Sequence, residues 1–264
     1  MAIKMGTPKT DKNLSITNAN YSGKNFNVSS EETAPGSLAF NSNGTKMFVL
    51  GFASDRIHQY SLGVAYDLSS VTYDNISLLV SGQEGFTFNT TGTEMYVAGF
   101  LGGTDIYQYS LSTGYDLTTA SLTNTLSLTL TYPRDVAINS LGTKMFVLDY
   151  NSDAIYEYVF GTAFDLSTVT YNSVSFSVSG QDTNPNGIYF NSNGTRMFMV
   201  GQGNDLVYQY TLSTGFDLST VTYDNVSFDV STEDTSPSGI YFNPSGTRMF
   251  MVGLSTDSVY QYNL

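Results

Sequence analysis

The chain has 264 residues, a formal net charge of -13, no cysteine and no tryptophan, and only 12% charged residues beside 20 Tyr and 17 Phe, a composition typical of β structure. The negative balance repels phosphate backbones and anionic surfaces, so nucleic acid is not an expected partner. Without cysteine there can be no disulfide, thiolate zinc site or cysteine nucleophile.

In chain order, residues 1–12 read as a tail and residues 13–264 as one domain. The opening lacks the apolar stretch of a signal peptide, and no window approaches the roughly 18 apolar residues that span a bilayer, so no membrane insertion is expected. The stretch from Leu14 to Gly36 has no repeat unit of its own. It aligns with a piece missing from the other end: Phe26 falls on Phe228, Tyr21 on Tyr223, Ile16 on Leu218 and Leu14 on Phe216. The last unit stops after its third strand, so the N-terminal segment is predicted to supply its fourth.

From there the chain repeats a Gly-Thr-(Lys/Glu/Arg)-Met-aromatic core five times, with its Gly at 44, 92, 142, 194 and 246. Each unit carries four short apolar or aromatic pieces separated by Gly, Asn, Ser and Asp. In the fourth unit these are residues 187–191, 196–201, 206–212 and 226–230. Four antiparallel strands in each repeat of roughly 50 residues is the pattern of a β-propeller, so the predicted fold is all-β, a five-bladed β-propeller closed by the N-terminal strand.

Columns filled alike in every unit report what every blade needs. Met47, Met95, Met145, Met197 and Met249, with Tyr60, Tyr109, Tyr158, Tyr210 and Tyr262, read as packing between sheets. His58 stands in a column otherwise held by Tyr107, Tyr156, Tyr208 and Tyr260, and reads as a substitute for Tyr rather than a general base. Asp55, Asp153, Asp205 and Asp257 read as turn acceptors before the third strand. Asp67, Asp116, Asp165 and Asp217, with Ser15 in the N-terminal equivalent, read as caps of a single helical turn. One carboxylate per blade lacks the dense oxygen spacing of a calcium loop, so neither a metal nor a cofactor is expected.

The segments Asn-Ser-Asn-Gly-Thr-Lys-Met-Phe-Val-Leu and Asn-Pro-Ser-Gly-Thr-Arg-Met-Phe-Met-Val-Gly, each followed by a Tyr-x-Tyr strand, resemble the second-strand motif of YVTN-type and lactonase-like propeller repeats. Five blades are also similar to tachylectin-type lectins and five-bladed glycoside hydrolases. The acidic, Ser/Thr/Asn-rich style is similar to that of marine phage and bacterial surface proteins. The resemblance implies the fold and leaves enzyme, lectin and scaffold all open.

Function is read from columns where the template breaks. Before the first strand one column runs Gly36, Glu84, Arg134, Asn186, Ser238, and the next Ser37, Gly85, Asp135, Gly187, Gly239. After the second strand come Gly51, Gly99, Asp149, Gly201, Gly253, then Phe52, Phe100, Tyr150, Gln202, Leu254. Both loops lie on one face near the axis, so the candidate ligand site is Glu84, Arg134, Asp135, Asp149 and Tyr150 with Phe52 and Phe100. The competing structural reading is an ion pair of Arg134 with Asp135, Asp149 or Glu84 that fills the channel. With one His there is no Ser-His-Asp set, and no insertion builds a substrate cleft, so no catalytic residue is expected. The expected function is a non-enzymatic interaction or structural module of a virion or extracellular surface, engaging a protein partner in the assembly or a host surface glycan. A lectin is the alternative, and a glycoside hydrolase the second.

Overall fold

The computed structural model describes residues 14–80, 82–99 and 104–264; the predicted tail and Phe100 lie outside these. Strand β1 (Asn20–Asn27) precedes blade one, which is β2 (Pro35–Phe40), β3 (Lys46–Gly51), β4 (Arg56–Leu62) and β5 (Val71–Leu79). Blade two is β6 (Gln83–Phe88), β7 (Glu94–Gly99), β8 (Asp105–Leu111) and β9 (Ala120–Ser127). Blade three is β10 (Pro133–Ile138), β11 (Lys144–Asp149), β12 (Ala154–Phe160) and β13 (Val169–Ser177). Blade four is β14 (Pro185–Phe190), β15 (Arg196–Gly201), β16 (Leu206–Leu212) and β17 (Val221–Asp229). Blade five, β18 (Pro237–Phe242), β19 (Arg248–Gly253) and β20 (Ser258–Asn263), takes β1 as its outer strand. The five sheets form a ring: a five-bladed propeller closed by its N-terminal strand.

The closing register is the predicted one. Phe26 faces Val259 as Phe228 faces Val207, and Tyr21 faces Tyr262 as Tyr223 faces Tyr210. Buried Gln209 of blade four accepts from the Ile16 amide at 3.0 Å, and Gln261 of blade five accepts from the Leu68 amide at 3.1 Å. Gln108 and Glu157 make the same link to Leu166 and Leu218, each at 3.0 Å. Each bond ties a third strand to the segment leading into the outer strand of the next blade, which at Leu68, Leu166 and Leu218 is a 3-10 turn. Glu157, the one acid in this column, is neutralised by Lys144 at 2.6 Å.

The core lies between neighbouring sheets, where the five repeated methionines are fully buried. Asp67, Asp116, Asp165 and Asp217 cap single 3-10 turns as predicted. Gly44 and its equivalents adopt positive φ in the first hairpin, which glycine does without strain. Asp55, Asp153, Asp205 and Asp257 are also left-handed, at φ 55, 48, 56 and 52, and in this column only Asp55 uses its side chain on a nearby amide, that of Gly82 at 3.0 Å. Tolerance of that backbone, more than acceptor chemistry, accounts for this column.

Two departures from the sequence reading share one cause. The outer strand of blade four starts at Val221, five residues before 226, because Asn225 (φ 55) forms a bulge and pairing resumes beyond it. The column beginning with Gly36 lies inside the first strand, at a bulge between Pro35 and Ser37 that recurs in all five blades. Bulges re-aim the side chain they carry.

Candidate functional site

The recurring bulge delivers Glu84, Arg134, Asn186 and Ser238 to one end of the axis. Arg134 pairs there with Glu84 through Nη1, and its Nε donates to Asn186 Oδ1 at 3.0 Å. Its guanidinium lies 4.9 Å from the centre of the Phe52 ring and 5.9 Å from those of Tyr132 and Tyr150. Phe52 packs on Gly36, and so reaches from blade one to the cation of blade three. Tyr132 donates to Glu84 at 3.1 Å and Tyr150 to Asn184 at 3.2 Å. Ser238 donates to the Pro35 and Val252 carbonyls. Burial raises the Glu84 pKa, and the charge of Arg134 opposes the rise. Both side chains are only 11% exposed, so this cluster closes the axis at its end.

The predicted site therefore divides into three. Glu84, Arg134, Tyr150 and Phe52 meet in the plug, and the pairing of Arg134 is with Glu84 rather than with Asp135 or Asp149. Tyr132 completes the plug without having been predicted; it sits in a shortened loop that no template column reaches.

Asp149 does separate work. In blades one, four and five an acid in the incoming loop, Glu32, Asp182 or Asp234, accepts amide bonds from its own loop and from the turn after the second strand. That acid lies over the glycine ending the second strand: a Cβ on Gly201 would come 2.3 Å from Asp182 Cγ. The loop before blade three (129–132) is two residues shorter than that before blade one (29–34). The acid has moved to the glycine position, where Asp149 accepts from the Tyr132 amide at 2.6 Å, the Thr131 amide at 3.2 Å, and the Ser152 amide and hydroxyl at 3.2 and 2.6 Å. Broken symmetry here is a mirrored clamp.

His58 also follows the template. Its Nε2 lies 2.9 Å from Ser54 Oγ, and Tyr156, Tyr208 and Tyr260 bond Ser152, Asn204 and Thr256, again four residues earlier. The ring takes the place of a tyrosine hydroxyl.

Asp135 is one step further in. It is 7% exposed, and its oxygens accept from the Val136 amide at 2.9 Å and, across to blade four, the Ile188 amide at 2.8 Å. Burial pushes its pKa up to about 7, against the opposing effect of both amides and of Arg134. Asp135 lines an axial cavity of about 260 Å³ built from all five inner strands, which opens between the first-hairpin turns at Ser42, Thr90, Ser140, Ser192 and Pro244. Two residues beyond Asp135, on the same strand face, runs the column Ala39, Thr87, Ala137, Tyr189, Tyr241. Three blades are small there and two carry tyrosine. The broken-column criterion identifies this second site too, once the bulged column is counted as part of the strand.

No protein-family model matches the chain, and no curated protein does. Many solved structures share its fold. A functionally unknown protein from Desulfotomaculum acetoxidans aligns at 11% identity and TM-score 0.50 over 83% of this chain and 62% of its own. A proposed 6-phosphogluconolactonase from Bacteroides uniformis aligns at 9% identity and TM-score 0.53 over 86% and 65%. The Cps50 (Swd1) β-propeller domain of Myceliophteria thermophila aligns at 8% and TM-score 0.51 over 93% and 99%. The chain thus spans less than two thirds of the first two proteins, and identities this low carry the propeller fold alone.

Proposed function

We propose that the chain is a non-enzymatic interaction module, a closed ring that presents a binding face to a protein partner or a glycan in a virion or surface assembly. The observation that supports this reading is that the carboxylates gathered near the axis are already engaged inside the protein. Glu84 is held by Arg134 and Tyr132, Asp135 by two backbone amides, and Asp149 by the clamp. A glycosidase needs two carboxyls placed to reach one substrate, roughly 5 to 10 Å apart. Here the acids answer to the fold first. The three rings around Arg134 favour a lectin as the second reading, since aromatic faces and a fixed cation suit a hydroxyl-rich ligand.

The test is incubation of the full chain with a panel of chromogenic glycosides and sugar lactones, beside a glycan array. The expected result is no turnover above the uncatalysed rate. Turnover that Glu84→Gln abolishes at unchanged melting temperature would establish an enzyme, and array binding lost in Tyr150→Ala would establish the lectin.

A further inference from the structure

The axial cavity differs in kind from the plug that closes it. One side of its wall is small, at Ala39, Thr87 and Ala137; the other carries Tyr189 and Tyr241, with ring centroids 5.6 Å apart. The Tyr189 hydroxyl donates outward to the Phe242 carbonyl at 3.0 Å, which leaves aromatic carbon to line the space. At about 30 Å³ per water, a volume of about 260 Å³ holds some nine waters or a ligand of about that many heavy atoms.

At the inner end stands a carboxyl group that takes part in none of the ion pairs among the described residues, which are Lys24–Asp67, Arg134–Glu84, Lys144–Glu157 and Arg196–Asp224. Each Asp135 oxygen accepts one amide bond, and an ionised carboxylate has about four acceptor sites, so capacity remains. The neighbouring cation, Arg134, is committed to Glu84. A buried carboxylate at the end of an aromatic-walled cavity selects against anions, and a neutral ligand would leave its charge unpaired. A cation answers both, because aromatic faces attract it as well.

We propose that the axial channel binds a small organic ammonium ion, its head on Asp135 and its aromatic or alkyl body against Tyr189 and Tyr241. This holds for the channel whether or not the opposite face has a partner. Because burial raises the Asp135 pKa, binding requires loss of a proton and strengthens as pH rises from 5 to 8. The other titratable side chains lining this space are Tyr115, Tyr189 and Tyr241; Arg134, whose charge is felt by Asp135, is paired with Glu84 outside the lining.

The experiment is calorimetric titration of the full chain with benzylammonium, benzyl alcohol and benzoate at pH 8, and with benzylammonium at pH 5. The expected outcome is one saturable site for benzylammonium, at least tenfold tighter than for the alcohol, at least tenfold weaker at pH 5, and no binding of benzoate. Asp135→Asn should abolish the preference for the cation. Should that variant fail to fold, Ala137→Phe fills the channel with Asp135 in place and should abolish binding at an unchanged melting temperature. Equal affinity for ammonium and alcohol, no saturable binding of benzylammonium, or full binding by Ala137→Phe would each overturn the proposal.

Discussion

Asp149 occupies a position that is glycine in the other four blades, and its four main donors lie on two loops. Restoring the template with Asp149→Gly removes the acceptor shared by three part-buried amide bonds and the Ser152 hydroxyl. Hydrogen bonds to a charged group contribute about 1.5 to 3 kcal/mol each, so the variant should lose at least about 3 kcal/mol in urea unfolding. A loss under about 1 kcal/mol would mean that the clamp is ornamental. Asp135 makes a prediction of opposite character. Its folded pKa is raised to about 7 from 3.8, so between these values the folded state holds a proton that the unfolded chain releases. Its contribution is complete below about pH 4 and is lost as pH rises to 7, amounting to at most about 4 kcal/mol. The pH profile of stability should fall across that window, and Asp135→Asn should flatten the fall. A profile that Asp135→Asn leaves unchanged would show that the group is ionised throughout. At this scale the sequence marks both aspartates as departures from the template but cannot separate their roles. That distinction depends on a two-residue loop deletion and a strand bulge, which decide what each carboxylate meets.

Strand β1 lies far in sequence from the blade it completes, and its placement is stabilised by more than its ladder. Leu14 and Ile16 are 1% exposed within the core shared by blades four and five, and Val28 is fully buried. Lys24 pairs with Asp67 of blade one at 2.6 Å. Burying an aliphatic side chain contributes about 1.5 to 3 kcal/mol, so removal of residues 1–34 strips three such side chains and a whole strand. The shortened chain should melt far below the full one and expose apolar surface to a dye; melting like the full chain would refute closure by this strand. This element was legible because aromatic spacing is copied from unit to unit, so Phe26 and Tyr21 find their counterparts without a structure. The start of the outer strand was not legible, since Asn225 looks like a turn residue and is in fact a left-handed bulge within the strand.

Taken whole, the molecule repeats a fivefold plan around an axis that is not fivefold. One end carries Arg134, Glu84, Phe52 and tyrosines packed together; the other opens into a cavity with an acid at its inner end. Repetition made the ring readable, while the two kinds of axial end depend on inner-strand neighbours about fifty residues apart, which no local pattern announces. The absence of cysteine allows this polarity to be measured with single thiols at pH 8.5, where a free thiol is about half ionised. Ser238, 1% exposed, lies on the plugged side, and Ala137 lines the channel. With a small methanethiosulfonate reagent, Ala137→Cys should be labelled quickly and be protected by benzylammonium, whereas Ser238→Cys should stay unlabelled until Arg134→Ala is added. Rapid labelling of Ser238→Cys with Arg134 in place, together with an inert Ala137→Cys, would contradict an axis sealed at the charged end and open at the other.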